Sequence, residues 1–159
     1  MVVDGDPGGG VNPWVMLAAS SALVCRARYG DGTDGGRAAE LRDLLVEAGP
    51  GITEDRLWFT DLPLNGVLLV ALAAWVLRYG PVEQHPDGVR LLAYGHRWSY
   101  NRSVPVMAWE PMVEMAEAAE PGLVGRLISE LADRPGPALL SEAAGVVDLL
   151  RRGWVTSSG

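Results

Sequence analysis

The densest group of residues able to do chemistry runs from Tyr94 to Arg102, reading Tyr-Gly-His-Arg-Trp-Ser-Tyr-Asn-Arg. At helical spacing Val89, Leu92, Ala93, His96 and Tyr100 share one side, and Arg90, Tyr94, Arg97 and Asn101 form the adjoining stripe. Guanidinium groups grip carboxylates and other small anions, and a neighbouring imidazole can give or take a proton near neutral pH. Tyr94, His96, Arg97, Tyr100 and Arg102 are therefore the candidate ligand-binding or partner-binding residues. Glu110 and Glu114 join them from a downstream acidic run that continues to Glu117 and Glu120 within one helical arc. A plainer reading makes His96 a hydrogen-bonded core histidine. The glutamates then form a solvated face, or partner the Arg90/Arg97 stripe. No residue is assigned a catalytic role.

Other constellations carry less. Gly30-Asp31-Gly32-Thr33-Asp34-Gly35 has the spacing of a dinucleotide-binding glycine loop, but its two aspartates would repel a pyrophosphate. It reads as a turn followed by a helix cap. A calcium loop starting at Asp31 would place Arg42 where a bidentate carboxylate is required. Cys25 is flanked by Arg26 but lies in an apolar run, which predicts a packed, inert thiol. The glutamate run lacks the Glu-x-x-His pair of ferritin-like sites, so no metal and no cofactor are expected.

Composition narrows the function further. All thirteen basic residues are arginine, which excludes a phosphate-loop lysine, a Schiff-base lysine and a lysine general base. With two histidines and one cysteine, zinc fingers, three-histidine sites and disulfide frameworks are excluded as well. Against twenty carboxylates the formal net charge is −7, and no basic cluster exceeds a local pair, so nucleic acid is not an expected partner. Asp4 and Asp6 stand where a secretion signal would carry positive charge, and the wholly apolar run from Gly66 to Leu77 is short for a bilayer span. The expectation is a cytoplasmic domain without a membrane partner.

Positioning these residues falls to a chain rich in alanine and leucine and poor in isoleucine and threonine, a helical bias. The predicted fold is mainly α: a compact helical domain of about six helices around the apolar helix 63–79. Residues 1–12 are read as a flexible lead-in, 13–154 as one globular domain and 155–159 as a flexible tail. Within it, Asp34 caps a helix over 37–48, Gly80-Pro81 stops the central helix, Pro121 opens a helix carrying Leu123, Leu127 and Leu131, and Pro137 opens a last one closed by Gly153. Arg28-Tyr29-Gly30 recurs as Arg78-Tyr79-Gly80, which is explained by glycine ending a helix and tyrosine packing back on the core. The alternative is α/β, with short parallel strands near 56–62 and 89–95.

The runs Leu41–Leu45, Leu57–Asp61 and Leu91–His96 together resemble the front half of a caspase-like peptidase. That resemblance implies a strand ending at Gly95-His96, with the histidine assisting a cysteine on a later strand. No cysteine follows His96, so that chemistry is excluded here. The function expected from these residues is a non-enzymatic helical interaction or adaptor module acting through a protein partner, with a homo-oligomer as one form. Its rival is an anion-binding or small-molecule-binding protein or enzyme using Tyr94–Arg102.

Overall fold

The computed structural model describes residues 12–48 and 62–156. Among them the fold is mainly α, with seven α-helices and no strand. They are α1 (Pro13–Tyr29), α2 (Gly35–Ala48), α3 (Leu62–Tyr79), α4 (His85–Arg97), α5 (Trp109–Ala119), α6 (Leu123–Leu131) and α7 (Leu140–Thr156). The strand proposed near 89–95 is instead the body of α4. The other one, near 56–62, lies outside the described residues except for Leu62, which begins α3.

Every residue from Asn65 to Val76 is buried, so α3 is the axis of the fold. By length and composition α3 could cross a membrane, yet two-thirds of it is covered by the other helices. Pro63 sits in its first turn, where a missing N–H costs nothing. α1 and α4 both pack on α3; α2 packs against α1 and α3, and α6 against α4. α3 and α4 run antiparallel, with Gly66 close to Gly95 at one end and Val76 close to Gly88 at the other. α7 and the turn before it close the structure through Leu139, Ala143, Val146, Val147 and Leu150, the side expected to face the core.

Three side chains tie α2 and α7 to the axis. The Arg42 guanidinium lies between the rings of Trp75 and Trp154, 4.3 and 4.4 Å from their centroids. The two indoles meet edge-on at 5.1 Å. Asp43 balances the charge at 2.6 Å. A cation held against desolvated rings contributes up to ~2 kcal/mol, which explains why a buried arginine is tolerated.

The Arg-Tyr-Gly recurrence marks equivalent positions. α1 and α3 both end at its tyrosine, the glycine N–H returns to the carbonyl four residues back (Gly30 to Arg26, Gly80 to Val76), and a short 3-10 turn leads into α2 or α4. Tyr79 packs inward and donates to the Arg26 carbonyl at 3.0 Å, as expected. Tyr29 does not: it is 67% exposed.

Several boundaries differ from expectation for local reasons. Asp31 supplies the capping carboxylate, accepting from the Thr33 N–H at 3.0 Å, while Asp34 pairs with Arg26 at 3.1 Å. Pro137 lies in a 3-10 turn (Gly136–Leu139) that precedes α7, and α7 runs through Gly153 because Trp154 is anchored in the core. The helix of Leu123, Leu127 and Leu131 starts after Gly122, whose φ of 76° makes the turn and whose N–H donates to Glu117 at 2.8 Å.

Candidate functional site

α4 carries most of the predicted site, because its C-terminal half is wrapped by α3, α5, α6 and α7. That wrapping sends the candidate side chains in different directions. Tyr94 is buried and points toward α7, where its hydroxyl donates to Oε2 of Glu142 at 3.2 Å. Burial first, and the Glu142 charge second, push the Tyr94 phenol up to about 12. Glu142 is gripped by both nitrogens of the Arg134 fork, and this contact holds its carboxyl below the usual range.

Arg97 points toward the end of α6. Its Nε and Nη2 donate to the Arg134 carbonyl at 3.0 and 2.7 Å, and Nε also reaches the Leu131 carbonyl at 3.2 Å. These carbonyls lie at and just beyond the helix terminus, where intrahelical donors have run out. Arg90 pairs with Asp87 at 3.0 Å. The two arginines thus satisfy groups on α4 and α6, and the expected pairing with the glutamates of α5 is replaced by these contacts.

His96, Tyr100 and Arg102 gather at the start of α5. The His96 ring lies 4.7 Å from that of Trp109, half-buried rather than sealed in the core. Arg102 lies 5.0 Å over Tyr100 and 5.1 Å over Trp109. Burial, then the Arg102 charge, lower the His96 pKa from its ordinary 6.5. Tyr100 is buried, donates to the Met107 carbonyl at 2.9 Å and is pushed up to about 12, mainly by burial. Glu110 is close enough to add to that rise, whereas Glu114 is exposed on α5.

An open cavity of about 280 Å3 lies beside this group, lined by Ala93, His96, Arg97, Ser99, Ile128, Leu131 and Ala132. Of the seven predicted site residues it includes His96 and Arg97 alone. The convergent Tyr94–Arg97–Arg102 anion site is therefore not assembled: Tyr94 serves Glu142, and Arg102 stacks on rings. Among the described residues no group of acidic, histidine and cysteine side chains is arranged to hold a metal.

A different surface emerges on α1, outside the residues singled out from the sequence. Met16, Ser20, Leu23, Val24 and Ala27 face inward. The opposite side is exposed, and it carries Trp14, Val15, Ala18, Ala22, Cys25 and Tyr29. Cys25 is thus an exposed thiol, contrary to the packed one expected. Trp14 is 76% exposed. It lines a second cavity of about 290 Å3 with Pro13, Leu17, Pro63, Leu64, Val67 and Asn101. The outer arc contains no charged residue. Of the charges that flank it, Arg26 pairs with Asp34, and Arg28 donates to the Val106 carbonyl at 2.9 Å with its guanidinium 4.8 Å over the Tyr29 ring. With apolar residues spread around α1, the sequence could not say which side met the core.

No protein-family model, curated protein or solved structure matches the chain.

Proposed function

We propose that this domain is a non-enzymatic protein-interaction module whose contact surface is the outer side of α1. The observation that carries the reading is that uncharged arc, with Trp14 and Tyr29 standing 76% and 67% exposed at its two ends. A contiguous apolar surface rimmed by polar groups is a mark of association, and aromatic anchors dominate binding energy at such surfaces. The polar residues that would build the rival site support the same reading, since Tyr94, Arg97 and Tyr100 already have partners inside the fold.

One observation favours the rival: the cavity at His96 and Arg97 is open and of a size to admit a small anion. Affinity capture with the wild-type chain, Trp14→Ser and His96→Gln separates the two. The expected result is a protein retained by the wild type and by His96→Gln but lost from Trp14→Ser. A small anion that binds in a His96-dependent way, with no protein capture, would overturn the proposal.

A further inference from the structure

We propose that the cavity between α4 and α6 binds a short-chain aliphatic carboxylate. Its charged end rests on Arg97, His96 and Ser99, and its chain lies along Ile128, Leu131 and Ala132. The site shares no residue with the α1 surface and does not rest on the interaction reading.

Arg97 is a half-buried cation with no carboxylate at ion-pair distance among the described residues. One edge of its guanidinium, Nε and Nη2, chelates the Arg134 carbonyl, and Nε also reaches that of Leu131. These bonds fix the plane of the group and leave Nη1 without a partner among the described residues. The edge formed by Nη1 and Nη2 presents two parallel N–H groups, the geometry that a carboxylate accepts. A donor already held in place loses little freedom when a ligand arrives.

Both α4 and α6 end here, and helix C-termini oppose anions through carbonyls that lack donors. In this case the carbonyls are covered. Those of Tyr94, Gly95 and His96 accept from the N–H groups of Trp98, Tyr100 and Ser99, and those of Leu131 and Arg134 from Arg97. No carboxylate lines the cavity.

Ser99 and His96 complete the polar end. Ser99 holds a φ of 53°, a conformation that glycine adopts more easily, and its hydroxyl has no hydrogen-bond partner among the described residues. Strain of this kind gathers at ligand sites. The His96 ring nitrogens have no such partner either, so a neutral imidazole has one N–H to offer a ligand oxygen in either tautomer. The remaining wall, Ala93, Ile128, Leu131 and Ala132, carries no side-chain hydrogen-bond group. A phosphate or a second carboxylate would lose hydration there without replacement, whereas an aliphatic chain gains from the contact.

The test is an NMR titration of the full chain with hexanoate, compared with hexanamide and inorganic phosphate. Hexanoate should shift the His96 ring and Ile128 methyl signals saturably, with a Kd of about 1 mM. The uncharged amide and the phosphate should bind about ten-fold more weakly or less. Arg97→Met should abolish binding, but it also frees the end of α6, so two gentler variants carry the decision. Ser99→Gly, which leaves the Arg97 bonds in place, should weaken hexanoate about ten-fold. Ala132→Leu, at an exposed position, should fill the apolar end and block it.

The proposal is overturned if hexanoate gives no saturable shift at concentrations on the order of 10 mM. Equal binding of hexanamide would leave an apolar site without anion recognition, and equal binding of phosphate an anion site without the aliphatic wall; either result overturns it. So does hexanoate binding that either gentle variant leaves unchanged. Trp14→Ser should bind hexanoate like the wild type, so protein capture through α1 and carboxylate binding at α4 can each fail alone.

Discussion

Gly66 and Gly95 meet where α3 crosses α4, and neither leaves room for a methyl group. A Cβ on Gly95 would lie 2.6 Å from Cγ2 of Val70 and 3.0 Å from the Gly66 carbonyl oxygen; one on Gly66 would lie 3.0 Å from the Tyr100 Cβ. This contact sets the depth of α4 against the axis, and through the Tyr100 N–H to Gly95 carbonyl bond it fixes where the chain leaves α4. Gly95→Ala should lower stability by about 1–3 kcal/mol, because the neighbouring backbone cannot retreat as a side chain could. Gly145→Ala, in the middle of α7 with nothing within 4 Å, should raise it by up to about 1 kcal/mol. Urea midpoints with an unchanged slope would register both; a neutral Gly95→Ala would show the crossing to be looser than described.

Ser99 terminates α4 with φ of 53°, the only positive value among the described residues that is not on glycine. Its N–H returns to His96 and that of Tyr100 to Gly95, a pairing that usually employs glycine at this position. Ser99→Gly should therefore stabilise the domain by up to about 1 kcal/mol, seen as a raised thermal midpoint. Ser99→Val should lower the midpoint, since a β-branched residue resists this conformation.

Arg97→Met tests whether the arginine secures the end of α6. Loss of its bonds to the Leu131 and Arg134 carbonyls should cost about 1–3 kcal/mol. Arg90→Met, which removes an exposed pair with Asp87, should cost under about 1 kcal/mol. Equal effects from the two variants would contradict the assignment. So would rescue of Arg97→Glu by Glu110→Arg, the outcome if the arginines faced α5.

His96 makes stability depend on pH in a definite direction. With its folded pKa lowered by burial and Arg102, the unfolded chain takes the proton first as pH falls. The contribution is complete above about 6.5 and is lost from there down through the folded value. Chemical denaturation at stepped pH should show this decline in the wild type, and His96→Gln should flatten that segment. Arg102→Gln should raise the imidazole pKa in an NMR titration. A pKa above 6.5 in the wild type would reverse the sign and contradict the burial described.

Helices were the legible part of this chain, and the reasons are local. The Leu-Val-Ala run of α3, bounded by Pro63 and Gly80, announces a buried helix whatever surrounds it. α4 was ambiguous because Val89–Leu92 suits a strand as well as a helix, and Gly95 looks like a breaker until Gly66 is brought opposite it. The candidate site was legible as a set of residue types but not as an arrangement. Nothing in the sequence places Glu142 beside Tyr94 or the carbonyls of α6 beside Arg97, because both contacts depend on how α6 and α7 fold back. Cys25 and Asp34 were misplaced for a similar reason: an exposed apolar side and a carboxylate bridging helices have no local signature.

The unbroken burial of α3 from Asn65 to Val76 has a consequence for motion. α6, on the outside of α4, can peel away while the rest persists, but no partial opening exposes both ends of α3. Its amide protons should therefore exchange with deuterium only through complete unfolding, and should report the global free energy. Those of α6 should exchange earlier, in a separate step. The molecule then loosens from its periphery inward, and its axis helix is the last to record the loss.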